Sequence, residues 1–199
     1  MPHDVGAGES AISPVASHLP GESGIWVLIL GDLVIFTLFF ATFTFYRGQS
    51  LALYTQSQHT LHQSFGALNT VLLLTSSLFV ALAMNALRRE ADRTATGLLA
   101  LAFCCGAGFL TVKYFEYGEK LRAGITLTTN EFYSFYYVLT GLHMIHVILG
   151  MGVLLFMCRG AWSGGRGPPR IVLMESGASF WHMVDILWVL IFPLLYLMK

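Results

Sequence analysis

The chain has little charge. Lys and Arg total 11 of 199 residues and Asp and Glu another 11, for a formal net charge of zero. That is 11% charged residues, less than half of the roughly 25% typical of a soluble domain. No basic excess is present to face a polyanion, so a nucleic-acid partner is excluded. Cysteine is scarce too, with three residues. Cys104 and Cys105 are neighbours inside an apolar run, and Cys158 ends another. Adjacent residues of a helix point to different faces, so no disulfide framework follows, and all three read as small packing residues. No nucleophile elbow, glycine-rich phosphate loop or zinc signature is present. The stretch before Ile25 lacks the Lys and Arg of a signal peptide, and Pro14, Pro20 and Gly21 interrupt any helix there. Residues 1–20 are therefore expected as a mobile tail ahead of a retained membrane anchor.

Hydrophobic residues, by contrast, make up 55% of the chain, with 15 Phe, 8 Tyr and 4 Trp. The mean hydropathy is +0.66, which points to lipid as solvent. Crossing about 30 Å of hydrocarbon takes about 20 helical residues, and open strands would leave backbone groups unsatisfied there. The apolar runs predict five spanning helices, at about 25–46, 65–87, 95–115, 132–157 and 180–198. The expected fold is an all-α integral membrane protein, one five-helix bundle over residues 21–199. Trp26, Tyr46, Tyr114, Tyr117, Tyr133, Tyr136 and Trp181 lie near the expected ends, as interfacial aromatics do. Arg88, Arg89, Arg93, Arg159, Arg166 and Arg170 fall on the N-terminal side of the bundle. Arg47, Lys120, Arg122 and Lys199, with Lys113, fall on the other. The basic excess predicts a cytoplasmic N-terminus and an external C-terminus.

Ionisable residues inside spanning helices are costly, and they mark candidate function. Asp32 lies within the first helix. His143 and His146 share a face of the fourth by i, i+3 spacing, as do His182 and Asp185 in the fifth. Asp32, His182, Asp185 and His146 are expected to approach one another in the cytoplasmic half. Two uses stay open. Desolvation brings carboxylates and imidazoles toward neutrality, where they exchange protons; alternatively, the same groups hydrogen-bond across helices and fix the packing. A haem b between His146 and His182 is a further possibility, and a di-iron bundle would need Glu-x-x-His pairs that no span contains. Glu116 reads as an interfacial carboxylate paired with Lys113 or Lys120. Glu175 places negative charge near the start of the last helix. Gly106-Ala-Gly108 and Gly150-Met-Gly152 read as close helix contacts.

The run Tyr136-Tyr-Val-Leu-Thr-Gly-Leu-His-Met-Ile-His-Val-Ile-Leu-Gly150 resembles the "TG.H..HV..G" helix of subunit III of the haem–copper oxidases. Phe180-Trp-His-Met-Val-Asp-Ile-Leu-Trp188 resembles the closing "WH.VD..W" helix of that family. Gly31-Asp32 falls where those proteins carry an intramembrane carboxylate, usually Glu. Leu68-Asn-Thr-Val-Leu-Leu-Leu-Thr-Ser-Ser77 and Phe115-Glu-Tyr-Gly-Glu119 fit in order. Gly21-Glu-Ser-Gly-Ile-Trp26, Tyr117-Gly-Glu-Lys120 and Phe192-Pro-Leu-Leu-Tyr196 look most like the nitric-oxide-reductase accessory branch, NorE. The first two helices of seven-helix members have no counterpart here, and Asp32 is a shorter acid. The resemblance implies an accessory subunit with no catalytic residues and no cofactor or metal of its own, in a bacterial cytoplasmic (inner) membrane. Haem and copper would reside in a partner, the catalytic subunit I, beside further subunits and lipids. The implied role is to support proton uptake and the stability of subunit I, in a cytochrome c oxidase or a nitric oxide reductase. The alternative is a stand-alone membrane haem b or di-iron redox protein.

Overall fold

The computed structural model describes residues 23–163 and 168–198, so the tail expected at 1–20 lies outside the described residues. The chain forms α1 (Ser23–Gln49), α2 (Leu51–Gln58), α3 (Gln63–Arg88), α4 (Asp92–Arg122), α5 (Glu131–Trp162) and α6 (Pro168–Phe192), closed by a π-helical turn, Pro193–Leu197. Five of these segments are long and apolar enough to cross a membrane. The short α2 was not expected, and α4, α5 and α6 run several residues beyond the apolar stretches that predicted them.

Local chemistry explains these boundaries. The α3–α4 turn puts Glu90 at φ 60°, the left-handed position of a helix cap, and Ala91 N–H donates to Ala86 O at 3.0 Å. The α4 end repeats the device with Gly124 at φ 74° and Ile125 N–H on Lys120 O at 3.0 Å. Both are six-to-one closures that satisfy terminal carbonyls. Asn130 caps α5 by accepting from Tyr133 N–H at 3.0 Å. Along α1, the hydroxyls of Thr37, Thr42 and Thr44 donate to the carbonyls four residues earlier at 2.7–2.8 Å. Each threonine thereby hides its polar atom from lipid. In α2, Tyr54 is fully buried against Phe43 and Phe132. Burial, with Glu131 and Tyr46 nearby, pushes its hydroxyl pKa up to about 12, so it stays protonated.

Helices α3, α4, α5 and α6 pack as a ring, each against its neighbours, while α1 leans on α6 and α5. Val27, Leu30, Val34 and Leu38 of α1 and Leu74, Leu78 and Leu82 of α3 face outward. Between helices in lipid there is no hydrophobic drive, so close van der Waals fit and small residues hold them. Trp181 shows how. Expected at the interface, it is instead fully buried in a slot between α4 and α5. A Cβ on Gly150 would stand 2.7 Å from its Cε3, and one on Gly106 would stand 3.1 Å from its Cη2. Gly108 touches only Leu72 and Gly152 has open space, so of the four glycines two make the slot. Gly150→Ala should lower the thermal midpoint in detergent, at a cost of about 1–3 kcal/mol for overpacking. Gly152→Ala should stay within about 0.5 kcal/mol of the parent.

Candidate functional site

The first polar centre joins α1 to α5. Asp32 Oδ2 lies 3.2 Å from His146 Nε2, with side chains 21% and 12% exposed. Phe36, one turn along α1, is fully buried and sets its ring edge-on to the imidazole at 5.7 Å. His146 Nδ1 lies 2.9 Å from Leu142 O, and a carbonyl only accepts, so Nδ1 carries the proton. Nε2 then has two choices. It accepts from a protonated Asp32, or it donates, as imidazolium, to the Asp32 carboxylate. Either way the pair holds one shared proton and no net charge, which is the tolerable state for two ionisable groups at membrane depth.

The other histidines and acids go elsewhere. His182 Nδ1 pairs with Ser77 Oγ at 2.6 Å across α3 and α6. His143 is fully buried between Phe109 at 5.5 Å and Trp188 at 5.3 Å. Asp185 is 6% exposed, one turn along α6 from His182. Asp32 and His146 thus meet, whereas His182 takes a partner on α3. Among the described residues no three His, Cys, Asp or Glu side chains gather as a metal site requires. Glu175 accepts from Arg88 Nη2 at 2.8 Å, tying α6 to the end of α3. Because α6 starts at Pro168, Glu175 lies in its second turn rather than ahead of it.

The second centre holds the Glu116–Lys113 pairing expected from the sequence, but inside the bundle rather than at its interface. Lys113 and Glu116 lie inside α4, with side chains 0% and 1% exposed. Lys113 Nζ donates to Glu116 Oε2 at 2.9 Å and to Tyr196 Oη at 2.8 Å. Tyr136 and Tyr196 hydroxyls donate to Glu116 Oε1 at 2.9 and 2.5 Å. The ammonium also sits 4.8 Å from the Trp188 ring centroid and 5.4 Å from that of Tyr136, within cation–π reach. Every oxygen of the carboxylate is occupied, which a buried ion pair needs if it is not to destabilise the fold. Nearer the α2 end, Lys120 is also buried and donates to Thr60 O, whose hydroxyl pairs with Tyr133 Oη at 2.6 Å. Tyr117 Oη pairs with Thr140 Oγ1 at 2.5 Å.

Tyr196 reaches this centre because Pro193 lacks an N–H and α6 widens into a π turn. The carbonyls of the terminal turns are taken by side chains from three earlier elements. Gln58 of α2 donates to Leu194 O at 3.3 Å, Gln63 of α3 to Tyr196 O at 2.9 Å, and Arg47 of α1 to Met198 O at 3.1 Å. Stop signals past Glu116, with Gly124 the first strong one, would have placed Glu116, like Lys113, inside a longer helix. Nothing local marks Tyr196 as their partner.

Residues 21–199 match the family described as cytochrome c oxidase subunit III. The chain belongs to that family. It is 32% identical to cytochrome c oxidase subunit 3 of Alkalihalophilus pseudofirmus, over 93% of this chain and 91% of that one. It is 28% identical to the cytochrome bo(3) ubiquinol oxidase subunit 3 of Pseudomonas putida, over 88% and 84%. A haem–copper oxidase subunit I+III of Aeropyrum pernix is 33% identical over 88% of this chain, which spans only 22% of that longer protein.

Lys113→Met should lower stability by about 3–5 kcal/mol by leaving Glu116 buried and unpaired. The Lys113→Met, Glu116→Gln double variant should cost less than the sum of the two single changes. Detergent unfolding titrations of the four proteins check both expectations.

Proposed function

We propose that this chain is the non-catalytic subunit III of a respiratory haem–copper oxidase in a bacterial cytoplasmic membrane. The observation that carries the reading is the Asp32–His146 pair, a carboxylate and an imidazole in hydrogen-bond contact between spanning helices of a chain of the subunit III family. The haem and copper belong to a catalytic subunit I, and the relative that joins I and III in one polypeptide supports that partnership. Asp32 takes a proton and passes it on, while His146 compensates whichever charge results. The partial exposure of both groups on the loosely packed α1 side suits exchange with a partner's acceptor. Arg88, Arg89, Arg93 and Arg159 set the end of the bundle bearing the α3–α4 turn on the cytoplasmic side. Uptake from that side supports proton delivery to subunit I and protects it from inactivation.

The names of the relatives favour an oxidase. Tyr117-Gly-Glu-Lys120 and Phe192-Pro-Leu-Leu-Tyr196 favour the nitric-oxide-reductase accessory branch as the second reading. Turnover of the purified complex with oxygen against nitric oxide separates the two.

In the assembled complex, Asp32→Ala should leave electron transfer into the haems intact and should reduce proton-coupled turnover or shorten its lifetime. Asp32→Asn, which keeps a hydrogen bond to His146 but cannot release a proton, should match Asp32→Ala in turnover while retaining its stability. Unchanged turnover and unchanged inactivation in both variants would remove the proton role. A Soret band from the isolated chain, lost on His146 or His182 substitution, would instead favour the stand-alone haem protein.

A further inference from the structure

Among the described residues, Asn69 and His143 are wholly buried and each leaves two polar atoms without a hydrogen-bond partner. Asn69 of α3 is 0% exposed, with both Oδ1 and Nδ2 unpaired. His143 of α5 is 0% exposed, with both Nδ1 and Nε2 unpaired. They share one layer of the bundle. Ser76 Oγ donates to Ala102 O at 2.9 Å, which fixes the antiparallel register of α3 on α4. Two turns from each, that register sets Asn69 at the level of Phe109. Phe109 packs edge-on to both His143 and Trp188, at 5.5 and 4.9 Å. Trp188 Nε1 donates to Thr70 Oγ1 at 3.1 Å, the residue next to Asn69. One turn earlier on α6, the buried Asp185 Oδ1 is also unpaired.

An Asn amide offers two donors and two acceptors, and a neutral imidazole one of each. Buried groups of this kind in native proteins are almost always bonded to protein or to ordered water. Protein partners are lacking here, and full burial removes lipid headgroups and bulk solvent as alternatives. A polar cavity with several convergent donors and acceptors is where a buried water is held, by about three hydrogen bonds.

We propose that Asn69 and His143 form an internal water-binding site in the core of the bundle. It lies beside the Lys113–Glu116 centre, because the same Trp188 indole carries His143 at 5.3 Å and Lys113 Nζ at 4.8 Å. Bound water gives the ammonium and carboxylate a further polarisable neighbour. The site belongs to the chain itself and holds whichever complex the chain joins.

The sign of a stability change tests it. Replacing an unpaired buried polar group in a dry site by an apolar group of similar shape is neutral or stabilising; removing a partner of a bound water is destabilising. Asn69→Leu and His143→Phe, made in the full chain in lipid nanodiscs, should each lower the unfolding midpoint. Water-edited solid-state NMR of the parent protein with 15N-labelled histidine should show polarisation transfer from bound water to the His143 ring nitrogens, lost in His143→Phe. An unchanged or raised midpoint for either variant overturns the proposal. So does the absence of transfer at His143 in the parent, which is measured whether or not a variant folds.

Discussion

Lipid offers no hydrogen bonds, and that constraint organises this molecule more than any single contact. Most polar groups placed at membrane depth find their partner within the protein. The α1 threonines turn their hydroxyls back on their own helix. Asp32 and His146 take each other as partners across α1 and α5. Lys113 and Glu116, the most costly pair, are enclosed by two phenols and an indole that leave neither charge unattended. The packing is arranged around these pairings, with apolar side chains left to cover the outside.

The two centres differ in chemistry. At Asp32–His146 a single hydrogen bond joins partly exposed groups from two helices. At Lys113–Glu116 the carboxylate has donors on both oxygens and the groups are sealed. The first suits exchange; the second suits permanence. Subunit III membership makes this division meaningful, since an accessory chain must both hold its shape against a catalytic partner and present something useful to it.

The spanning helices were legible in the sequence because run length and hydropathy alone determine them. Candidate polar residues were legible too, since any Asp or His within such a run stands out. Pairings were not. Whether His146 meets Asp32 or His182 depends on helix rotation and crossing, to which i, i+3 spacing is blind. Glu116 was misplaced for a related reason. An apolar run that ends near Phe115 looks like a helix end, yet α4 continues to Arg122 and carries Lys113 and Glu116 into the core. Trp181 looked interfacial because Trp commonly is, whereas two glycines from different helices made room for it inside.

The π turn that follows α6 has a consequence for assembly of the bundle. Its carbonyls are gripped by side chains from α1, α2 and α3, and its tyrosine completes the setting of an ion pair on α4. Those helices all precede the turn in the chain. Until it docks, Lys113 and Glu116 lack one of their partners, and three earlier helices hold unengaged amide and guanidinium groups. The turn therefore acts as a clasp that closes the bundle after its helices have come together. With the turn undocked, those polar groups stay open to recognition by membrane quality control.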